Sequence, residues 1–276
     1  MSGRRGTPSW IGACTCRTPG RRTGLRRPAL HLDARSAREL LDPHEMLGEV
    51  AGKVVLCLAS GGGKQSAAFA LLGARVSVLD LSPAQLERDR QAAAHYGVRI
   101  ETVQGDMRDL SCFEPAAFDI VYQPYSLNFV PDPWHVFRQV AQVLSAGGLY
   151  RVECANPFVL GVTEDDGDGR GDPVKLPYEE GASLILEDPG WIVPDAQRPA
   201  EPLPPSQVHR HTLGRLVQGL VTEGFVILGV EEHWRPGQGF PPGSWEHFVS
   251  VAPPWLTFSA TYRPDVLGGS RTGGRC

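Results

Sequence analysis

No apolar run in the 276-residue sequence approaches the ~18 residues that a membrane span requires, so no membrane partner is expected. A secretory h-region is absent as well. The charges nearly cancel: 27 Lys and Arg stand against 31 Asp and Glu, for a net charge of −4. A chain without excess positive charge offers no general surface for phosphate backbones, and nucleic acid is not expected as a partner. Six cysteines lie scattered at positions 14, 16, 57, 112, 154 and 276, with no CxxC pair among them. Such spacing gives neither a zinc cradle nor a disulfide framework. With Cys57 and Cys154 inside expected buried strands, reduced thiols, a cytoplasmic location and no metal site are expected. Lysine is confined to Lys53, Lys64 and Lys175, an arginine preference that reads as the coding bias of a GC-rich genome rather than as chemistry.

What remains is a chain with 41% hydrophobic content, enough for one sizeable core plus tails. Its first thirty residues hold seven arginines before the first acid, Asp33, with Gly, Pro, Ser and Thr between them and no apolar periodicity. A disordered basic tail is expected over residues 1–35, with a transit segment and an overextended start as the other readings. The folded domain is expected over 40–263, and a second disordered tail over 264–276.

From residue 52 to residue 154 strands and helices alternate. Lys53 to Leu58 is continuously apolar, as a strand covered on both faces requires. A helix is expected over Gln65 to Leu72, with Gly73 as its stop. Arg75 to Asp80 follows as a strand. Ser82 and Pro83 then supply an N-cap and a first helical residue for a helix reaching Tyr96 before Gly97. Strands are expected over 98–103, 118–122 and 149–154, with a helix from Pro133 to Leu144 between the last two. Strands joined by helices imply right-handed crossovers and a doubly wound, mostly parallel α/β sheet. After Cys154 the rhythm gives way to a Gly-, Pro- and acid-rich stretch, an insertion over 155–210. Regularity returns with a helix from Thr212 to Glu223 and a strand over 225–230. A last strand, Trp255 to Tyr262, must run antiparallel if it joins the same sheet.

Ligands of such sheets bind beyond the carboxyl ends of the strands, beside the first one. There the chain carries Ala59-Ser60-Gly61-Gly62-Gly63 and, after the next strand, Asp80. The loop lacks the third glycine of a GxGxxG dinucleotide fingerprint and does not fit a GxxxxGK[ST] phosphate loop. It is a near match to a GxGxG loop. With Asp80, the Gln104-Gly105-Asp106-Met107 element and the Phe118-Asp119-Ile120-Val121 strand, the chain resembles the Rossmann-like, class I S-adenosylmethionine-dependent methyltransferases across residues 52–154. Four elements in order and at the right spacing carry that resemblance.

The resemblance implies an S-adenosyl-L-methionine cofactor and methyl transfer to a small-molecule substrate. It also implies roles. Ala59, Ser60, Gly61, Gly62 and Gly63 line the methionine end, and Asp80 accepts from both ribose hydroxyls. Leu81 packs on adenine. Gly105 opens the turn in which Asp106 takes the adenine amino group and the Met107 backbone a ring nitrogen. Two positions depart from the family: Cys57 stands where the first strand usually carries an acid, and Ala59 replaces the first loop glycine. Without that acid, loop carbonyls or the Gln123 side chain are left to hold the cofactor ammonium. Methyl transfer needs no universal catalytic residue; Tyr125 and Asn128, after the fourth strand, are candidates to orient the acceptor. His209, His211 and Trp191 border the insertion and are weaker candidates for a pocket. The acidic run from Asp165 to Asp172 lacks calcium-loop spacing. Two other functions stay open: a nicotinamide-dependent reductase on the same topology, and a non-catalytic cofactor-binding regulatory protein.

Overall fold

The computed structural model describes residues 32–60, 62–160, 178–186, 206–234, 237, 239–240 and 245–268. The basic segment before Leu32, Gly61, the acidic run 165–172 and Trp191 lie outside the described residues. A seven-stranded sheet forms the centre. In chain order its strands are β1 (Val54–Leu58), β2 (Arg75–Asp80), β3 (Ile100–Gln104), β4 (Phe118–Gln123), β5 (Leu144–Ala155), β8 (Phe225–Glu232) and β9 (Trp255–Tyr262). A separate hairpin pairs β6 (Ser183–Leu186) with β7 (Ser206–His209). In space the sheet runs β3-β2-β1-β4-β5-β9-β8. The first five strands are parallel, and β9 runs antiparallel to both β5 and β8. The expected doubly wound sheet and its antiparallel return are therefore present.

Helices close both faces. α1 (Ala34–Leu41), α2 (Lys64–Leu71) and α3 (Pro83–Tyr96) precede α4 (Pro133–Val143), α5 (Leu213–Thr222), α6 (Trp245–Val251) and α7 (Pro264–Gly268). Val55, Cys57, Val76, Val78, Ile120 and Tyr122 pack under α1 and α2 around Phe69. On the other face Leu56, Leu58, Val121, Tyr150, Val152 and Phe258 meet Phe137, Val140, Leu216 and Leu220 of α4 and α5. Alternate residues of the central strands β1 and β4 thus serve alternate cores, which is why these strands read as continuous apolar runs.

Starts and stops follow local chemistry. Ser82 accepts from the Gln85 amide, Asp132 from that of Trp134 and Thr212 from that of Arg215, each capping its helix. Gly97 ends α3 in the left-handed conformation. Three features differ from expectation. α1 begins at Ala34, inside the stretch expected as tail, because Asp33 and Ser36 form a reciprocal cap and Ala37 and Leu41 are buried. Pro264 to Gly268 likewise forms a short helix. β5 starts at Leu144 rather than 149; pairing slips between Phe118 and Ile120 of β4, and the residues through Gly147 and Gly148 occupy the irregularity.

Candidate active site

The carboxyl ends of β1, β2 and β4 meet where the strand order reverses, and the loops leaving them face one another. The loop after β1 is shaped by positive φ angles: 48° at Ala59, 101° at Gly62 and 86° at Gly63. Glycine adopts these without penalty. Alanine at 59 keeps the left-handed backbone that the resemblance assigns to glycine, at a cost of ~1–2 kcal/mol. Its amide donates to the Leu79 carbonyl at 2.7 Å, which ties the loop to β2. At Gly63 a Cβ would fall 2.7 Å from the Arg88 carbonyl and 2.9 Å from Ala92 Cβ, so α3 packs directly on the turn that opens α2. Ser60 is buried, and its Oγ has no hydrogen-bond partner among the described residues. Gly61 lies outside them.

At the end of β2, Asp80 is 8% exposed while its neighbour Leu81 is 67% exposed. One Asp80 carboxylate oxygen accepts from the Ser82 amide at 2.9 Å, and its carbonyl accepts from the Gly105 amide at 3.1 Å. These bonds fix the acid at the strand end and join it to the loop after β3. In that loop Gly105 sits against Leu79, and a Cβ there would be 3.1 Å from Leu79 Cδ1. The Asp106 carboxylate is forked by Arg108, whose Nε lies 3.0 Å from both oxygens. The hydrogen bonds from the Arg108 side chain hold its pKa below the ordinary carboxylate value. The Asp80–Gly105 bond thus joins the loop that carries Asp106 and Met107 to the end of β2.

The loop after β4 differs more. Gln123 is wholly buried: its amide nitrogen lies 3.0 Å from Ser126 Oγ and 3.4 Å from Met107 Sδ, and its oxygen accepts from the Tyr150 hydroxyl at 2.5 Å. Its amide joins a core network that sets the end of β4. Asn128, in a single 3-10 turn (Leu127–Phe129), donates to the His209 carbonyl at 2.8 Å and accepts from the Ala155 amide at 2.8 Å. It clamps β4, β5 and β7 together. Tyr125 lies two residues past β4, half-buried, with its ring edge-on to Phe129 at 6.0 Å. His211 is buried, 3.2 Å from the Leu127 carbonyl and 3.6 Å from Glu180; burial pushes its pKa down. The β6–β7 hairpin is thus seated on the loop after β4, and Phe158 stacks on Tyr178 beside it at 4.9 Å.

Asp89, a residue that a reading by sequence passes over, belongs to the same neighbourhood. It is wholly buried on α3 and accepts from Ser66 Oγ at 2.5 Å. Its run, Glu87-Arg88-Asp89-Arg90, reads as a solvated face; the signal was its place three residues after Leu86, on the buried side of the helix. By contrast, the groove at the amino ends of the strands, lined by Lys53, Asp119, Ser145 and Gly147, lies at the opposite edge from all these residues.

Likeness to known proteins decides the family. A family profile described as a methyltransferase domain matches residues 56–152. The uncharacterized methyltransferase YbaJ of Bacillus subtilis is 33% identical over 200 residues, covering 69% of this chain and 72% of that one. The chain belongs to the class I S-adenosylmethionine-dependent methyltransferases. A ubiquinone biosynthesis O-methyltransferase of Xanthomonas euvesicatoria is 36% identical over 100 residues, but this chain spans only 42% of its length. Among solved structures, an S-adenosylmethionine-dependent methyltransferase from Mesorhizobium loti aligns with a TM-score of 0.59 and 25% identity, covering 83% of this chain and 99% of that one. One from Listeria monocytogenes, at 20% identity and a TM-score of 0.60 over 84% and 100%, shares the fold. As a member of this family the chain is an enzyme, and its reaction is methyl transfer from S-adenosylmethionine.

Proposed function

We propose that the crevice between the loops after β1, β2 and β3 holds S-adenosylmethionine and that the hairpin side of the loop after β4 receives a small-molecule acceptor. The observation that carries the site is the pair Asp80 and Leu81: a carboxylate fixed at a strand end beside an apolar side chain left 67% exposed. A ribose and a purine need that combination, two hydroxyls for the acid and a flat face for the leucine. Ser60, buried and lacking a partner among the described residues, supplies a further polar atom on the loop side. Asp106 keeps acceptor capacity beyond its Arg108 fork, because an ionised carboxylate has about four lone-pair sites. With the Met107 amide it reads the adenine edge.

When bound, the cofactor supplies a methyl carbon already activated by its sulfonium. The chain's own task is to bind, orient and exclude water. Ala59 to Gly63 shape the loop that receives the methionine end. Gln123 and Asn128 act as positioning residues, holding the end of β4 and the 3-10 turn, while Tyr125 borders the acceptor. A small acceptor is favoured by two features: the exposed stacked pair Phe158 and Tyr178 beside the hairpin, and the likeness to enzymes named for ubiquinone biosynthesis. A macromolecular acceptor of polyanionic type is disfavoured by the net charge of −4.

Calorimetric titration with S-adenosylhomocysteine tests the site. The wild type is expected to bind, and Asp80→Ala to bind at least tenfold more weakly, about 1.4 kcal/mol, for loss of the charged acceptor. Unchanged affinity in that variant would remove Asp80 from the site, and no heat at millimolar ligand would remove the site itself.

A further inference from the structure

The family's acid is missing from β1, where Cys57 stands, yet a carboxylate occupies the same neighbourhood from another element. Asp89 reaches it from α3 and is 0% exposed. Its Oδ1 accepts from Ser66, the third residue of α2, and the Gly63 amide at the start of that helix also stabilises its charge. Its Oδ2 meets no hydrogen-bond partner among the described residues. The contact is tight, since Gly63 has no room for a Cβ against the α3 backbone at Arg88. We propose that Asp89 is a positioning residue of the cofactor loop: through Ser66 and the Gly63 amide its buried carboxylate holds the first turn of α2 in the shape that receives the cofactor. From α3 it supplies the negative charge that β1 lacks. The proposal rests on the reading of this crevice as the cofactor site.

Burial is costly for this group. Desolvation, with the Asp80 charge adding to it, pushes the Asp89 carboxyl from an ordinary 3.8 up to about 6 despite the Ser66 bond. A raised carboxyl pKa favours the protonated fold. The stability it contributes is complete below about 3.8 and is lost as pH rises through about 6. At neutral pH the fold therefore carries an ionised Asp89 at its own expense, which is the pattern of a group kept for function. The groups that act on its charge are Asp80 on β2, Arg90 on α3 itself, the Gly63 amide, and Ser66 on α2, which Lys64 opens, while Cys57 on β1 faces it and is pushed up by it in turn. Only the ionised form makes charge-assisted bonds to Ser66 and Gly63, roughly twice as strong as neutral ones. Cofactor affinity should then fall as pH drops through about 6.

The test is the dissociation constant for S-adenosylhomocysteine, followed from pH 7.5 to pH 5.0 in the wild type, Asp89→Asn and Ser66→Ala, with circular dichroism to verify folding. The wild type should weaken at least threefold across that range. Asp89→Asn should bind at least threefold more weakly at pH 7.5, lose the inflection near 6, and melt higher than wild type in the absence of ligand. Ser66→Ala, which removes a bond that lowers the Asp89 pKa, should move the inflection to higher pH. This second variant carries the test if Asp89→Asn does not fold. A wild-type inflection that survives in Asp89→Asn, or a flat wild-type profile, would overturn the role of Asp89 while leaving the crevice as cofactor site. Absence of binding at every pH would instead remove the crevice reading, and this proposal with it.

Discussion

Gly63 is where conformation and packing act on one residue. Its φ of 86° is one that side chains rarely adopt, and a Cβ would press on the Arg88 carbonyl at 2.7 Å. Gly97, at the end of α3, has a φ of 65° but nothing within 4 Å of an added Cβ. Comparing the two separates strain from clash. Gly97→Ala is expected to cost only the left-handed penalty, ~1–2 kcal/mol. Gly63→Ala adds overpacking of ~1–3 kcal/mol and should lose ~2–5 kcal/mol in all. Urea unfolding of both variants measures the difference. Equal losses would mean that α3 yields easily, and the tight seat assigned to Asp89 would not hold. Ala59, at 48°, already bears such a penalty; Ala59→Gly should stabilise the protein by relieving it.

Elements whose edges are written in punctuation were legible in the sequence, and those fixed by distant partners were not. β2 and α3 match their expected ranges because an apolar run ends on Asp80, Ser82 and Pro83 start the helix, and Gly97 stops it. The resemblance assigns Asp80 and Gly105 to successive loops, and the Asp80 carbonyl accepts from the Gly105 amide, so those two loops adjoin. The β6–β7 hairpin was illegible, because its pairing joins two four-residue strands separated by a long stretch without alternation. Asn128 was read as an acceptor-orienting candidate, but its partners, the Ala155 amide and the His209 carbonyl, are 27 and 81 positions away. Removing its side chain leaves two backbone groups without their bonds, one buried and one half-buried, at ~1–3 kcal/mol each. Asn128→Ala is therefore expected to lose ~2–6 kcal/mol in denaturant unfolding and to open the hairpin to protease between 155 and 210. A loss under ~1 kcal/mol would mean that water replaces both bonds.

At the scale of the whole molecule, opposite titrations meet in one fold. Asp89 is pushed up to about 6 by burial, while burial pushes His211 and His233 down. The histidines favour the neutral fold, so their contribution is present above the ordinary value of 6.5 and is lost as pH falls through their lowered values. Above pH 6.5 the neutral histidines contribute fully and the ionised Asp89 is the standing cost, which the bound cofactor should offset. Ligand at one hundred times its dissociation constant adds ~2.7 kcal/mol to the folded state. For a domain of roughly 200 residues that is a rise in Tm of ~5–10 °C. S-adenosylhomocysteine at pH 7.5 is expected to produce such a rise. At one fixed ligand concentration the rise should shrink at pH 5.0, because affinity has dropped. NADH should produce none, since the loop lacks the third glycine of a dinucleotide site. A rise with NADH and none with S-adenosylhomocysteine would reassign the crevice to a different nucleotide, although β1, β2 and the acid at the end of β2 would still be what grips its ribose.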